Sequence, residues 1–382
     1  MSLRETLSSF LCRIQGELFP ILREEVGPLT VKHQQIATVL EMSRIEAFVP
    51  HWRGLCGRPL AERAALARAF VAKAGLNLPT TRMLIDQLHT DRMLRHLCGF
   101  GRRSEIPSEA TFSRAFAEFA ASELASKLHE TLIRDTHGDR LVGHVSRDAT
   151  AIEAAERPRK TEQSSEPTKP KRKRGRPRKG EELPPKQPRR IAMQAAGMSL
   201  SAMLADLPRY CAVGAKRNAK GHQETWIGYK LHIDTIDGDI PVSCVLTAAS
   251  VHDSQVAIPL AVITNARITN CYDLMDSAYD VLEIHAHSRS LGHVPIIDTH
   301  PRRVPGLKDE LAQEAMRQAL VGHRMAQDLR YNERSAAERV NSNLKGNHGG
   351  STVRVRGAAK VMCHLMFGIL VVAALQIVRL IM

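Results

Sequence analysis

Three carboxylates stand at points where an α/β protein gathers functional groups. Asp148 ends a short β-type run, Asp276 ends a later one, and Glu338 lies on a polar helix. Side chains at strand ends meet at one edge of an open sheet, so we expect the three to converge. Converging negative charges need a cation, and hard oxygen ligands suit Mg²⁺, two of which can drive phosphodiester chemistry. Taken singly, an aspartate at a strand end is more often a turn or cap residue, so the prediction depends on all three together.

The polar helix that carries Glu338 brings two cations and a phenol to the same face. An α-helix advances about 100° per residue, so Arg334 lies about 40° from Glu338, and Tyr331 and Lys345 each lie about 20° from it. On this geometry Arg334 and Lys345 would face DNA phosphates, and Tyr331 could stack or donate a hydrogen bond. The alternative is a solvated helix on which Arg334 and Glu338 form an ordinary i,i+4 ion pair.

The charge of the chain predicts a polyanionic partner. The net charge is +14 over 382 residues, and residues 157–190 hold 14 Lys or Arg against 4 Asp or Glu. This linker is nearly free of large apolar groups, so we expect it to be disordered in the free protein. Its "KRKRGRPRKG" resembles an AT-hook core, in which Arg174, Arg176 and Arg178 would enter the minor groove of A·T tracts. The alternative is a polybasic tail that binds any phosphate backbone.

Apolar spacing divides the chain into two parts. Residues 1–140 have apolar residues three and four apart and predict short helices, which suit either a helix-turn-helix-like domain binding DNA ends or a purely structural all-α domain. Residues 141–382 predict a strand, a hairpin turning at residues 237–239 and two βα units, interrupted by the basic linker. This order is typical of a mixed sheet covered by helices.

Other features argue against zinc, secretion and a membrane. The seven cysteines are scattered without CxxC spacing, which predicts reduced thiols in a cytoplasmic compartment. The N-terminus lacks a signal-peptide layout. The apolar run at residues 365–375 is about half of what a bilayer needs, so we expect a buried core helix.

The spacing of four residues on the polar helix resembles a known signature. Tyr331, Arg334, Glu338 and Lys345 are separated by two, three and six residues. This spacing resembles the Y-(2)-R-(3)-E-(6)-K signature of bacterial insertion-sequence DDE transposases. The stretch "DSAY", which begins at Asp276, resembles the element around the second acid of that family, and "SRDATAIEA" resembles its first-acid strand. The segments "PSEATFSRAFAEF" and "VRVRGAAKVMCHLMFGIL" resemble the regions before and after its catalytic core.

The resemblance implies an α/β fold, an RNase H-like mixed sheet flanked by helices and preceded by an all-α N-terminal domain. It implies that Asp148, Asp276 and Glu338 form the catalytic and metal-binding triad, with two Mg²⁺ ions for which Mn²⁺ can substitute, and no other cofactor. Asp276 is preferred to its neighbours Asp273 and Asp280 because Ser-Ala-Tyr follows it. The implied partners are the inverted-repeat element ends, the target DNA and a second copy of the chain, in the bacterial cytoplasm at the nucleoid.

Two alternatives remain open on the sequence alone. An inactive or domesticated copy would bind DNA as a repressor or architectural factor without catalysis. A metal-dependent nuclease without strand transfer would share the same acids.

Overall fold

The N-terminal part is helical, as its apolar spacing predicts. The computed structural model describes residues 29–49, 61–159, 188–217, 221–299, 306–322 and 325–381. The first helices are α1 (Val31–Ser43), α2 (Arg63–Gly75), α3 (Thr81–Thr90), α4 (Arg92–Cys98), α5 (Glu109–Ala121) and α6 (Leu124–His137). The side chains of Thr80 and Asp91 cap α3 and α4. A 3₁₀ turn, Ile45–Ala47, follows α1.

A mixed sheet follows. The described strands are β1 (Leu141–Glu153), β2 (Ala212–Arg217), β3 (Gln223–Ile236), β4 (Ile240–Ala248), β5 (Thr269–Met275) and β6 (Val294–Ile297). β1 lies at the centre, antiparallel to β3 and parallel to β5, and β6 extends the parallel side. On the other side of β3, β2 pairs with its first half and β4 with its second half. The predicted hairpin is the β3–β4 pair, and the two predicted βα units lead through β5 and β6.

Helices cover both faces of the sheet. They are α7 (Arg190–Ala195), α8 (Leu200–Asp206), α9 (Ser254–Asn265), α10 (Leu282–Ser290), α11 (Leu307–Val321), α12 (Ala326–Tyr331), α13 (Ser335–Asn347) and α14 (Ala358–Ile381). The helices of the first part and the sheet share one apolar core, into which α14 inserts. Phe70 of α2 stacks on Phe367 of α14 with 5.9 Å between ring centroids. The boundary predicted at residue 140 therefore separates helices from strands along the chain, while the core runs across it.

The C-terminal helix α14 is a core element, in agreement with the prediction. It is long and apolar enough to cross a membrane by length and composition, but 72% of its most apolar window is buried inside the protein. A core helix inside a protein can pass the same test of length and composition, and the high burial of α14 favours a core helix. Most of the basic linker, residues 160–187, lies outside the described residues, as do Arg174, Arg176 and Arg178.

Candidate active site

Two of the predicted acids lie at equivalent positions on neighbouring parallel strands. In the pairing of β1 with β5, Ser146 is opposite Leu274. Asp148 and Asp276 each follow two residues later, so they continue that register and face the same side of the sheet. Asp276 comes directly after β5, and its Oδ1 accepts a hydrogen bond from the Ala278 amide at 2.9 Å. This bond holds the short turn that follows the strand.

Asp148 does not end its strand, so that part of the prediction is wrong. β1 continues to Glu153, and Asp148 pairs across the antiparallel ladder with Ile233 of β3. β3 is long enough to pair with the whole second half of β1, whereas the parallel neighbour β5 stops at Met275. Asp148 therefore lies at the point where only one of its two neighbouring strands continues.

The predicted polar helix is interrupted near its start. A 3₁₀ turn at Asn332–Arg334 separates α12 from α13. A 3₁₀ helix advances about 120° per residue, so the three residues of the turn displace Tyr331 by roughly 60° from the predicted face. The Arg334 guanidinium still reaches both the Glu338 carboxylate and the Tyr331 ring, so these three side chains stay together across the turn.

Polar contacts hold α13 over the two aspartates. Asn341 Nδ2 donates to Asp148 Oδ2 at 3.0 Å, and Ser146 Oγ donates to the main-chain oxygen of Arg334 at 2.5 Å. The other buried side chains of the helix are small or aliphatic: Ala336, Ala337, Val340 and Leu344. The helix can therefore lie close to β1, with its polar side turned toward the acids.

The charges of both other predicted acids act on Asp148 at this edge. Burial raises the pKa of Asp148 to about 6, and the charges of Asp276 and Glu338 add to that rise against the opposing effects of the Ala149 amide and Arg334. Burial also raises the pKa of Asp276 above its ordinary value. Asp148 thus lies within electrostatic range of Asp276 and Glu338, and their repulsion is only partly offset by protein groups.

Arg334 forms the ion pair expected from its i,i+4 spacing. Its Nη2 lies 2.7 Å from Glu338 Oε1, and the Glu338 side chain is 54% exposed. The same guanidinium lies 5.7 Å from the centre of the Tyr331 ring. Burial raises the pKa of Tyr331 to about 12, with Asp298 and Asp276 adding to the effect, so the phenol keeps its proton at neutral pH.

Along the helix, Arg334 precedes Asn341, the residue bound to Asp148, and Lys345 follows it. Burial and the charge of Lys216 lower the pKa of Lys345, while Glu153 and Asp148 act to raise it. The two cations of the predicted signature therefore flank the acids instead of clustering together.

The neighbouring acids are engaged elsewhere. Asp273 points to the other face of the sheet, where its oxygens contact Asn270 at 3.0 Å and His293 at 3.3 Å. Asp280 contacts His285 at 3.3 Å. The geometry therefore agrees with choosing Asp276 over both.

Three residues beside the predicted site carry no strong sequence signal. Asn341 holds Asp148. Asp253 begins α9, but it does not cap that helix, because its Oδ1 accepts a hydrogen bond from Lys230 Nζ at 2.9 Å. Asp298 follows β6 as Asp276 follows β5, and that shared position after a short apolar run is the signal that could have revealed it.

The site has suitable donors for a divalent metal but is not assembled around one. Within the described ranges, no three His, Cys, Asp or Glu side chains are close enough together to hold an ion. The oxygens of Asp148, Asp276 and Glu338 are nevertheless hard ligands, and a cation would offset the burial and the neighbouring charges that raise the pKa of Asp148. The donor set therefore fits Mg²⁺, with side-chain movement needed to close on it.

Comparison with protein families identifies both halves of the chain. The family model described as "Transposase DDE domain" matches residues 144–373, and "Transposase domain (DUF772)" matches residues 24–118. Comparisons with curated proteins and with solved structures find no significant match.

The first match covers more than half of the chain and includes the sheet, the acids and the helices over them. The DDE domain is RNase H-like, in agreement with a central β1 that is antiparallel to β3 and parallel to β5. Proteins with this domain act on DNA as cleaving and strand-transferring enzymes. The chain therefore belongs to the family of insertion-sequence DDE transposases.

Proposed function

We propose that the chain binds the inverted-repeat ends of its insertion sequence, cuts the DNA there and joins the ends to a target. Asp148, Asp276 and Glu338 would form the catalytic triad. The observation that carries the proposal is the electrostatic coupling of Asp148 to both other acids, 128 and 190 residues away along the chain. Acids kept together at a cost in repulsion are more typical of a functional site than of a structural one.

Asp148, Asp276 and Glu338 would hold two Mg²⁺ ions, or Mn²⁺ in their place. Such ions supply charge neutralisation at the attacking and leaving oxygens of a phosphodiester. Hydrolysis would break the bond between phosphorus and the 3′ oxygen and leave a 3′-hydroxyl. That hydroxyl would attack a phosphorus of the target DNA, forming a new phosphodiester bond as the bond to the target's own 3′ oxygen breaks and that oxygen leaves as a hydroxyl. The protein would contribute the alignment of both DNA strands.

The flanking cations would position the DNA backbone. Arg334 can present two parallel N–H groups to a phosphate, and Lys345 would contact the backbone farther along the helix. Because Arg334 pairs with Glu338 in the DNA-free chain, an arriving phosphate would compete for the guanidinium and release the Glu338 carboxylate. The Tyr331 phenol stays protonated and would donate a hydrogen bond to a phosphate oxygen.

The remaining parts would recruit DNA and a second copy. Residues 1–140 would bind the element ends, and the linker at residues 157–190 would add backbone or minor-groove contacts through Arg174, Arg176 and Arg178. Two DNA ends must be joined together, so we propose a homodimer in the DNA complex. Such a protein would work in the cytoplasm, associated with the nucleoid.

A strand-transfer assay tests the proposal. The substrate is a linear DNA that ends with the sequences flanking the gene, incubated with the full chain, Mg²⁺ and a supercoiled target. Asp276→Asn should abolish end cleavage and joining while DNA binding in a gel-shift assay stays within twofold. The matched control is Asp139→Asn, an exposed aspartate just before β1, at the opposite edge of the sheet.

The outcomes separate the competing functions. Cleavage without joining would indicate a nuclease, and binding without cleavage in the wild-type chain would indicate a DNA-binding protein that has lost catalysis. Cleavage that survives in Asp276→Asn would remove Asp276 from the triad. Equal loss in the Asp139→Asn control would show that charge in general, and not this site, is responsible.

A further inference from the structure

A third aspartate continues the row formed by Asp148 and Asp276. β5 and β6 pair in parallel with Met275 opposite Ile297. The next residue along, Asp298, donates its main-chain N–H to the oxygen of Met275 at 3.2 Å, so the ladder extends one step beyond β6. Asp276 and Asp298 are therefore neighbours at equivalent positions on adjacent strands.

The three aspartates face the same side of the sheet. Alternate residues of a strand share a face, and equivalent positions on parallel neighbours point the same way. Ser146, two residues before Asp148, contacts the Arg334 main chain, and Tyr272 of β5 lies 4.0 Å beneath the Arg330 guanidinium. The even-numbered residues of β1, β5 and β6 thus face α12 and α13, and at about 4.8 Å per strand the row spans about 10 Å.

Asp298 brings a negative charge that no described residue neutralises through an ion pair. Buried acids on the opposite face do have partners, since Asp234 forms a two-pronged pair with Arg147 at 2.7 and 2.8 Å. Burial is the largest cause of the raised pKa of Asp276 and of Tyr331, and the charge of Asp298 adds to both. Asp298 therefore increases the negative charge at this edge, which favours a positively charged ligand.

Buried polar atoms without partners point independently to a missing ligand. Asn341 is 5% exposed, and its Oδ1 has no hydrogen-bond partner among the described residues, although its Nδ2 is bound to Asp148. The hydroxyl of Tyr279 is also buried without a described partner, three residues after Asp276. Buried oxygens of this kind are normally satisfied by water or an ion. The orphan oxygen of Asn341 lies beside the row, because the same amide binds Asp148, whereas Tyr279 packs with Met275 on the other face of the sheet.

We propose that Asp298 is a fourth carboxylate of the site and binds a divalent cation jointly with Asp276. This inference rests on the proposed metal-dependent function and adds a residue to it. Asp298 would extend the cation-binding row beyond the triad, toward Tyr331 and Arg334. Its oxygens would bind the ion directly or through a water ligand, as is usual for Mg²⁺, which keeps several waters.

The test is the Mn²⁺ dependence of thermal melting, measured on the full chain without DNA. The wild type should gain stability as Mn²⁺ is added, because a ligand that binds only the folded state stabilises it. Asp298→Asn should raise the half-saturating Mn²⁺ concentration at least tenfold, the usual scale for losing a group that supports a metal. Without Mn²⁺ its Tm should equal or exceed that of the wild type, since the substitution removes repulsion and no ion pair.

Asp139→Asn is the matched control, and its half-saturating concentration should stay within twofold of the wild type. A half-saturating concentration for Asp298→Asn that is also within twofold would overturn the inference while leaving the triad in place. A wild type that shows no Mn²⁺ effect, together with no metal-dependent cleavage, would reject the proposed metal site itself. A lower metal-free Tm in Asp298→Asn would contradict the repulsion on which the inference depends.

Discussion

Replacing the most perturbed acid of the site should make the protein more stable and inactive. In the folded chain, burial and then the charges of Asp276 and Glu338 raise the pKa of Asp148 from 3.8 to about 6. At 1.36 kcal/mol for each tenfold change, this difference corresponds to roughly 3 kcal/mol against the folded state. Asp148 is only partly buried, and solvent screening reduces the expected gain for Asp148→Asn to about 1–3 kcal/mol. The new amide oxygen can still accept the hydrogen bond from Asn341.

The gain should depend on pH with a definite sign. A carboxyl whose pKa is raised on folding favours the folded state below its unfolded pKa, and that advantage is lost as the pH rises through the folded value. The wild type should therefore lose stability relative to Asp148→Asn between about pH 4 and pH 6, and the difference should be constant above that window. Thermal melting in a chelating buffer at pH 4.5 and pH 8 measures it, and the Tm difference at pH 8 should be a few degrees.

Asp237 provides a control of opposite sign. Burial acts to raise its pKa, but hydrogen bonds from His144 and from the Gly143 amide at 2.8 Å outweigh burial and lower it. Its charge therefore contributes stability above the unfolded pKa, and Asp237→Asn should melt at a lower temperature at pH 8. If Asp148→Asn were no more stable than the wild type at pH 8, burial and the neighbouring acids would not destabilise the Asp148 carboxylate as inferred. End cleavage should be lost in Asp148→Asn whatever its stability.

Three further predictions concern the phosphate contact, the linker and the shared core. Arg334→Lys keeps the charge but loses the planar guanidinium, so single-turnover cleavage of a bound end should slow at least tenfold, about 1.4 kcal/mol, while the Tm hardly changes. A wild-type cleavage rate would mean that Arg334 forms only a surface ion pair. Deleting residues 157–190 should reduce the slope of log binding constant against log salt concentration by about 0.9 for each lost phosphate contact. Arg176→Ala should weaken binding to A·T-rich duplexes more than to G·C-rich ones, and equal losses would indicate a polybasic tail. Phe70→Ala should destabilise the whole chain by about 3–5 kcal/mol in a single denaturant transition, because Phe70 packs on the C-terminal helix; a sheet that stays folded after the first helices melt would contradict a common core.

Much of the fold follows from local patterns. The β3–β4 hairpin can be predicted because its turn at residues 237–239 combines glycine and aspartate between two strands of alternating apolar and polar residues. In the structure Asp239 has the positive φ that such a turn requires. Helix α14 can be predicted because apolar residues occupy all of its faces, which is typical of a buried helix. Each of these signals lies within one short stretch of sequence.

The errors arise where a distant partner decides the structure. Nothing after Asp148 shows that β1 continues, because its last residues are ordered by pairing with β3, about 80 residues later. Likewise, local propensity does not predict the 3₁₀ turn before α13. The turn coincides with the hydrogen bond from Ser146 to the Arg334 main chain. Long-range pairing therefore overrides the local pattern at the two places that carry the acids.

The sequence indicated the three acids by residue type and spacing, but it could not indicate how the row is made. The row depends on the registers of β1 with β5 and of β5 with β6, and a shift of one residue in either would turn one aspartate to the opposite face. Asp298 carries no signal stronger than that of any strand-end aspartate until those registers are known.

The row of aspartates explains why α13 buries a polar side chain. A helix that covered a sheet only for stability would bury apolar side chains alone, yet this one buries Asn341 beside Val340, Leu344 and two alanines and donates an amide N–H to Asp148. The small side chains let the helix lie close enough for that bond, and the buried amide gives up apolar contact to orient a carboxylate. Natural proteins break a packing rule of this kind where a site requires it, and they recover the stability elsewhere. Here Val340 and Leu344 of α13 join the large shared core around α14, and this apolar anchor holds the helix while Asn341 orients the carboxylate.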